Sequence, residues 1–311
     1  LLLFGAIVLS INAFSQVPTY VPTGNLVGWY GFDGNADDES TSINHGTING
    51  ATLTLDRFGN SNSAYDFDGI DDFISMVNAP FTSGPFSISV WVNQNTFETT
   101  PIIGLGELGG NFLQRLYLTA GYGLLGKPGI GTGGANGIQS LDDVTTLGNW
   151  HHLVVVFTNY DVNSVDFYLD GDLLSGNDTG GNNVPFPLNN AGFTIGRHTG
   201  SSANYIEATI DDVGIWDRTL TQCEIIDLYT AGMLAGVTQT GALLTADQSG
   251  ATYQWLDCDD NNAIINGETN QFYTPAVTGN YSVEVTLNGC VETSACMLVD
   301  YTGLSEIYAE I

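Results

Sequence analysis

Asp56, Asp66, Asp68, Asp71 and Asp72 crowd a short stretch around Gly69, most of them in SAYDFDGIDDFI (63–74). Carboxylates gathered this way suit a hard cation such as calcium, acid–base hydrolysis, or direct contact with sugar hydroxyls. The plainer reading is a turn between two strands. Gly69 supplies a permissive backbone, and Asp68 and Asp71 bond their own turn amides. Phe67 and Phe73 then point into the core. A calcium role for Asp71 or Asp72, or a glycan contact, stays open beside it. A second acidic run, DGNADDESTSIN at Asp33–Asn44, is also rich in oxygen ligands.

Three other motifs invite chemistry and carry less of it. His151 and His152 are adjacent on a strand, so they point to opposite faces and do not chelate one metal together. No nucleophile elbow supports a Ser/His/Asp triad. Gly104-Leu105-Gly106-Glu107-Leu108-Gly109 formally fits GxGxxG, but no helical pattern follows and no βαβ alternation surrounds it. It reads as a loop or strand crossing. The run Gly121–Gly137 reads as a long rim loop of the kind that carries binding in many scaffolds.

Composition narrows the partners. The 311 residues are 43% hydrophobic and 13% charged, enough to bury a sizeable core. Acidic residues outnumber basic ones 34 to 5, a formal charge of −29. Phosphate backbones and anionic membranes repel such a surface, so nucleic acid is excluded as a partner. Calcium and neutral glycans remain compatible, and acidity also keeps a secreted protein soluble. Residues 1–16, LLLFGAIVLSINAFSQ, read as a signal peptide truncated at its start, with Ala13-Phe14-Ser15 as the cleavage site. No membrane span is expected. Cys223, Cys258, Cys290 and Cys296 favour disulfides in an exported chain, with about three possible connectivities for such a set.

The elements that must position these residues are mostly strands. Asn25–Phe32 is apolar-rich. Phe86–Asn93 alternates, with Phe86, Ile88, Val90 and Val92 on one face and Ser87, Ser89, Trp91 and Asn93 on the other. Trp150–Phe157, Ser164–Leu169, Phe193–Arg197 and Tyr205–Trp216 follow. Asp170-Gly171 and Asn288-Gly289 are two-residue hairpin signals. One helix is predicted: Thr221 and Glu224 have capping-box spacing, and Gly232 sits where a C′ glycine belongs. After a linker at 234–242, Ala251–Trp255 and Asn280–Leu287 are strands of a smaller unit spanning 243–300. If they run antiparallel, Cys258 falls at the Cys296 end, which points to Cys258–Cys296. Cys223 and Cys290 then pair with each other, or Cys223 stays a buried thiol.

The ordered motifs GWYGFDGNADDES, SAYDFDGIDDFI, FSISVWVN, NWHHLVVVF and EATIDDVGIWDRTLTQCEIIDLYTAG resemble the laminin-G-like (pentraxin-like) jelly-roll domains of the concanavalin A-like lectin/glucanase superfamily, over about residues 24–233. ATYQWLDC…GNYSVEVTLNGCVETSAC resembles the immunoglobulin-like repeats of secreted Bacteroidota proteins. Residues 302–311 resemble the lead-in to a type IX secretion sorting domain, itself missing. The resemblance implies an all-β protein of two domains, a jelly roll at 17–233 with one short C-terminal helix and a small immunoglobulin-like sandwich at 243–300.

In a jelly roll the first strand pairs with the last. That would bring Asp38 toward Asp211, two carboxylates for a structural calcium, with Asn44 as an extra oxygen; a solvated acidic loop is the alternative. The superfamily's glucanases carry Glu-x-Asp-x-x-Glu on one strand, which this chain lacks; Glu207-Ala208-Thr209-Ile210-Asp211-Asp212 has the wrong spacing. No catalytic residue is therefore assigned. Trp91 is the candidate sugar platform, unless a neighbouring loop holds it in the core. The expected function is a secreted, non-catalytic module at the bacterial cell surface. Its partner is a polysaccharide or a cell-surface glycoprotein. The alternatives are a hydrolase with an unrecognised carboxylate pair on the concave sheet, and a purely structural adhesin.

Overall fold

The computed structural model describes residues 16–78, 84–96, 100–106, 115–122, 127–132, 137–140, 145–159, 164–175, 177–179, 193–197 and 204–301. The expected cleavage site, residues 107–109 and 160–163, part of the Gly121–Gly137 run and residues 302–311 lie outside them.

Alternating strands build an antiparallel sandwich. The first sheet runs β13 (Asp172–Leu173), β12 (Val165–Leu169), β11 (Trp150–Phe157), β6 (Phe86–Gln94), β16 (Glu207–Trp216), β4 (Ser61–Asp68), β3 (Thr52–Leu55), and β1 (Leu26–Tyr30) also pairs with β16. The second runs β14 (Asn177–Thr179), β10 (Gly137–Ser140), β9 (Lys127–Thr132), β8 (Arg115–Tyr122), β7 (Ile103–Gly106), β15 (Phe193–Ile195), β5 (Phe73–Met76), β2 (Thr47–Asn49). This is the all-β jelly-roll architecture. Ile88, Val90 and Val155 of the first sheet share one core with Ile74, Ile103 and Phe193 of the second. Each such burial contributes about 1.5–3 kcal/mol. Phe86 stacks on Phe157 at 4.1 Å.

The Gly121–Gly137 run is not one long loop. Strand β9 passes through it, hydrogen-bonded to β8 and β10. Glycines carry no side chain, so the run has no two-residue apolar period to reveal the strand.

The other face of the first sheet is covered too. Helix α1 (Gln222–Thr230) and residues 17–21 lie over it, joining Trp29, Val154, Trp216, Ile225 and Leu228 in a second apolar layer. Ser87 serves this layer: its Oγ donates to Arg218 O and accepts from Leu220 N, both at 2.9 Å. The Thr221/Glu224 capping box forms. The helix is capped by Ala231 in the left-handed region (φ 54°), and Gly232 follows at C′ with φ 70°, as expected. Gly232 lies against Tyr20, whose Cβ would be 2.8 Å from any added Cβ.

The remaining strands form two small sheets. One is β17 (Val237–Thr240), β18 (Leu243–Ala246) and β21 (Phe272–Tyr273). The other is β20 (Ala263–Ile264), β19 (Thr252–Asp257), β22 (Gly279–Leu287) and β23 (Cys290–Thr293), with β24 (Met297–Val299) on β22. Trp255, Val283 and Val285 fill their core, and Ile226 of α1 joins it. Disulfides link Cys258 to Cys296 and Cys223 to Cys290. Cys223 is thus not a buried thiol; it ties α1 to β23. Beside that bond the two predicted hairpin turns meet. Both residues of each have positive φ, as a type I′ turn requires. Asn288 Nδ2 donates to Asp172 Oδ1 at 2.7 Å, and Gln222 Nε2 donates to Gly171 O at 2.7 Å.

Candidate functional site

Strand β16 changes partner midway, and that opens the site. Glu207–Ile210 pair with β4, while Val213–Trp216 pair with β1. Between them sits a bulge: Asp211 faces Trp91 of β6 and Gly214 faces Ser89, so β16 carries one extra residue. Adjacent strand residues normally point to opposite faces. Here Asp212 adopts φ 46°, and both carboxylates reach one guanidinium. Arg57 Nη1 donates to Asp211 Oδ2 at 3.0 Å and Asp212 Oδ2 at 2.7 Å. Bulges of this kind re-aim side chains beside functional sites.

A short turn delivers Arg57. Asp56 Oδ1 accepts from Phe58 N at 2.9 Å and Asn60 N at 2.7 Å. This Asx turn directs Arg57 inward and leaves Phe58 60% exposed. The guanidinium lies 4.4 Å from the Phe58 ring centroid and 4.5 Å from that of Trp91. Burial, then the neighbouring Asp212 charge, pushes the Asp211 carboxyl far above the usual range. Burial also raises Asp212, against Arg57. Burial and Asp212 hold the Tyr20 hydroxyl protonated.

Above this cluster is a polar pocket of about 190 Å³. The end of β1, the 33–39 loop, the 56–60 turn, the bulge and the segment at 18–20 wall it. Trp29, 1% exposed, lines it, and its indole Nε1 has no hydrogen-bond partner among the described residues. A wider cleft of about 460 Å³ lies between residues 19–22, α1 and Glu292. None of the unpartnered buried polar atoms among the described residues belongs to its lining.

Of the sequence-derived candidates, Asp211 lines this pocket, and Asp38, Asn44 and Trp91 fall outside its lining. Strands β1 and β16 do pair, yet Asp38 and Asp211 join different networks. Asp38 Oδ1 accepts from Trp29 N at 3.1 Å and Ser40 N at 2.9 Å, and its Oδ2 accepts from Asn44 N at 2.8 Å. The Asn44 side chain donates to Asn78 O at 2.8 Å. Asp38 thus pins its own loop to β1, and Asp211 already faces a cation, Arg57. This donor set does not fit calcium.

Trp91 is not an open platform. It is 7% exposed and stacks on His152 at 5.1 Å and Tyr229 at 5.8 Å. Packing by α1 and Arg57 removes the open ring face that a sugar needs. His152 Nε2 pairs with Ser89 Oγ at 2.8 Å, and burial lowers its pKa to about 3, so the ring is neutral. That Ser–His pair is sealed, with Ser89 and His152 each about 1% exposed. His151 instead contacts Asp170 Oδ2 at 2.8 Å.

The opening stretch is a turn in the structure as well. Asp68 Oδ1 accepts from Ile70 N at 2.8 Å and Asp72 Oδ2 accepts from Asp68 N at 3.0 Å. The carboxylates of Asp68, Asp71 and Asp72 lie within 4.8 Å of one another, the one such group among the described residues. Sequence reasoning missed Arg57, Phe58, Trp29, Glu39 and Asp212. One signal was present: with only 5 basic residues in the chain, a lone arginine in DRFGN invites a search for its carboxylates.

A family model described as the concanavalin A-like lectin/glucanases superfamily matches residues 67–226, and the chain belongs to that superfamily. Among solved structures, domain 4 of AbnA, a GH43 extracellular arabinanase from Geobacillus stearothermophilus in complex with arabinotriose, is similar at 22% identity. The match covers 66% of this chain and 98% of that one, with a TM-score of 0.53. The likeness is one of fold. A Trypanosoma rangeli sialidase in complex with 2-keto-3-deoxy-D-glycero-D-galacto-2,3-difluoro-nononic acid matches at 19% identity over 68% of this chain and 34% of that one, with a TM-score of 0.49. No curated protein sequence matches the chain. No helix among the described residues is long and apolar enough to cross a membrane.

Proposed function

We propose that the protein is an extracellular, non-catalytic carbohydrate-binding module whose glycan enters the pocket above Arg57. The observation that carries this reading is the pocket's lining. An exposed ring, Phe58, stands beside carboxylates held by Arg57 and an indole N–H without an acceptor among the described residues. Fixed donors and acceptors beside an aromatic ring suit a polyhydroxylated ligand. The arabinanase domain of similar fold holds arabinotriose. Two disulfides fit an oxidising compartment. The C-terminal sheets act as an immunoglobulin-like spacer on this reading, and the chain leaves the cell by its apolar leader and the type IX route.

The acid pair argues against hydrolysis. Glycosidase carboxyls flank the scissile bond, about 5–9.5 Å apart. Asp211 and Asp212 instead share one guanidinium nitrogen, and the Asp211 side chain is 3% exposed. To test the reading, the protein is incubated with a panel of plant and marine polysaccharides. Protein depletion and new reducing ends are read in the same tubes. Depletion without new reducing ends is expected. New reducing ends would show a hydrolase; no depletion would point to an adhesin with a protein partner.

A further inference from the structure

Gly31 directly follows β1 and lines the pocket, and its missing side chain brings three polar atoms close to the backbone. An added Cβ there would stand 3.3 Å from Trp29 Nε1, 3.5 Å from Glu39 Oε1 and 3.8 Å from Asp212 Oδ1. One donor and two acceptors thus line a small polar cradle beside Gly31. The donor is buried and has no partner among the described residues. Leaving such a group unmatched costs about 1–3 kcal/mol.

The chemistry of the occupant follows. A cation would be drawn to the carboxylates but would face the positive end of the indole N–H. An anion would meet the carboxylates. A hydroxyl satisfies both sides, because it accepts from the N–H and donates to a carboxylate. The wall as a whole has the same preference. Asp33, Glu39, Asp56, Asp211 and Asp212 line it against the single cation Arg57. Uronate or sulfate groups would be repelled. Its volume of about 190 Å³ is below the roughly 300–1,000 Å³ of pockets that enclose larger ligands.

We infer that the pocket takes one uncharged sugar ring at the end of a glycan, with a hydroxyl seated in the Gly31 cradle and the ring edge against Phe58. This rests on the carbohydrate-binding reading and adds the site, the ligand's charge and the single-unit recognition.

The indole N–H reports on it directly. The full chain, with its 5 tryptophans labelled with nitrogen-15, is titrated with arabinose, galactose, glucose, mannose and N-acetylglucosamine, and separately with glucuronate and galacturonate. Trp29→Phe identifies the Trp29 resonance. That resonance is expected to move with at least one neutral sugar and to stay still with the uronates. Gly31 has no left-handed backbone, so Gly31→Ala fills the cradle with small shifts of its neighbours. It should weaken binding of the active sugar by about ten-fold or more. Exposed Phe58→Ala should weaken it by a smaller factor and tests the site without touching the interior.

If no sugar moves the resonance, the cradle holds water only and the inference fails. It fails equally if uronates bind as well as neutral sugars. If wild-type protein still depletes polysaccharide while Gly31→Ala and Phe58→Ala deplete it just as well, carbohydrate binds elsewhere; the broader reading then survives and this one falls. Loss of all depletion in the wild type would remove the broader reading itself.

Discussion

The two faces of β6 are both buried and are held by different physics. Phe86, Ile88, Val90 and Val92 enter the large apolar core between the two sheets. Ser87, Ser89 and Trp91, on the other face, are just as inaccessible. There the contacts are Ser89 to His152, Ser87 to the 218–220 segment, and Arg57 between Trp91 and the Asp211/Asp212 pair. The inner face is stabilised by area removed from water, which pH does not change. The outer face depends on each polar group finding its partner, so it titrates and can be left with gaps. The Trp29 indole, unmatched among the described residues, is such a gap, and Trp29 lines the pocket.

Breaking the ion cluster should have the largest effect. Arg57→Ala leaves two buried carboxylates without their cation, at a cost of about 3–5 kcal/mol in urea unfolding. A raised carboxyl pKa means that the folded chain holds a proton the unfolded chain releases. That stability is fullest at low pH and is lost as pH climbs from the ordinary carboxyl range toward the folded value. Arg57 holds the Asp212 carboxyl down, so removing it raises that group further, and the Arg57→Ala loss should be larger at about pH 8 than at about pH 5. Phe157→Ala on the inner face should cost a similar amount, about 3–5 kcal/mol, but equally at both pH values. Equal pH behaviour of the two variants would erase the distinction between the faces.

Next in size is the bond that holds the outer cover. Replacing Cys223 and Cys290 by alanine should cost about 2–4 kcal/mol. Amide exchange should then speed up in α1 and stay slow in β11; acceleration in both would show that the layers are not separable.

A smaller effect comes from His152. Its pKa is lowered to about 3 by burial and then by Arg57. The unfolded chain then binds a proton that the folded chain refuses, so stability falls as pH drops from 6.5 toward 3. By about pH 5 the loss is roughly 2 kcal/mol. His152→Gln should flatten that limb of the curve. A profile unchanged by the substitution would mean that this ring does not govern it.

The smallest expected effect is that of divalent cations. Asp38 and Asp211 already have their partners, so EDTA or added calcium should move the Tm by less than about 1 °C, since a cation without a site shifts no equilibrium. A rise with calcium would mean that a carboxylate group such as Asp68, Asp71 and Asp72 binds it on the turn.

Much of the fold was legible in local pattern. The period of two in Phe86–Asn93 assigned the inner face, Asp-Gly and Asn-Gly marked the two hairpin turns, and Thr221 with Glu224 marked the helix start. These signals lie within a few residues of one another, so the chain displays them wherever it goes. The candidate site was not legible in that way. Alternation placed Trp91 opposite the core but could not say that α1, some 130 residues later, would close over it. Acid content singled out Asp38, whose oxygens serve its own loop.

Local sequence by itself determined the strands, the turns, the helix cap and the strongly acidic charge. Only the tertiary structure decided that Arg57 faces Asp211 and Asp212, and that Trp29 and Glu39 meet at Gly31. The reason is one extra residue in β16 at the point where it leaves β4 for β1. A bulge reverses the facing of side chains. Its place is set by pairing between strands far apart in sequence, which no short stretch of the chain encodes.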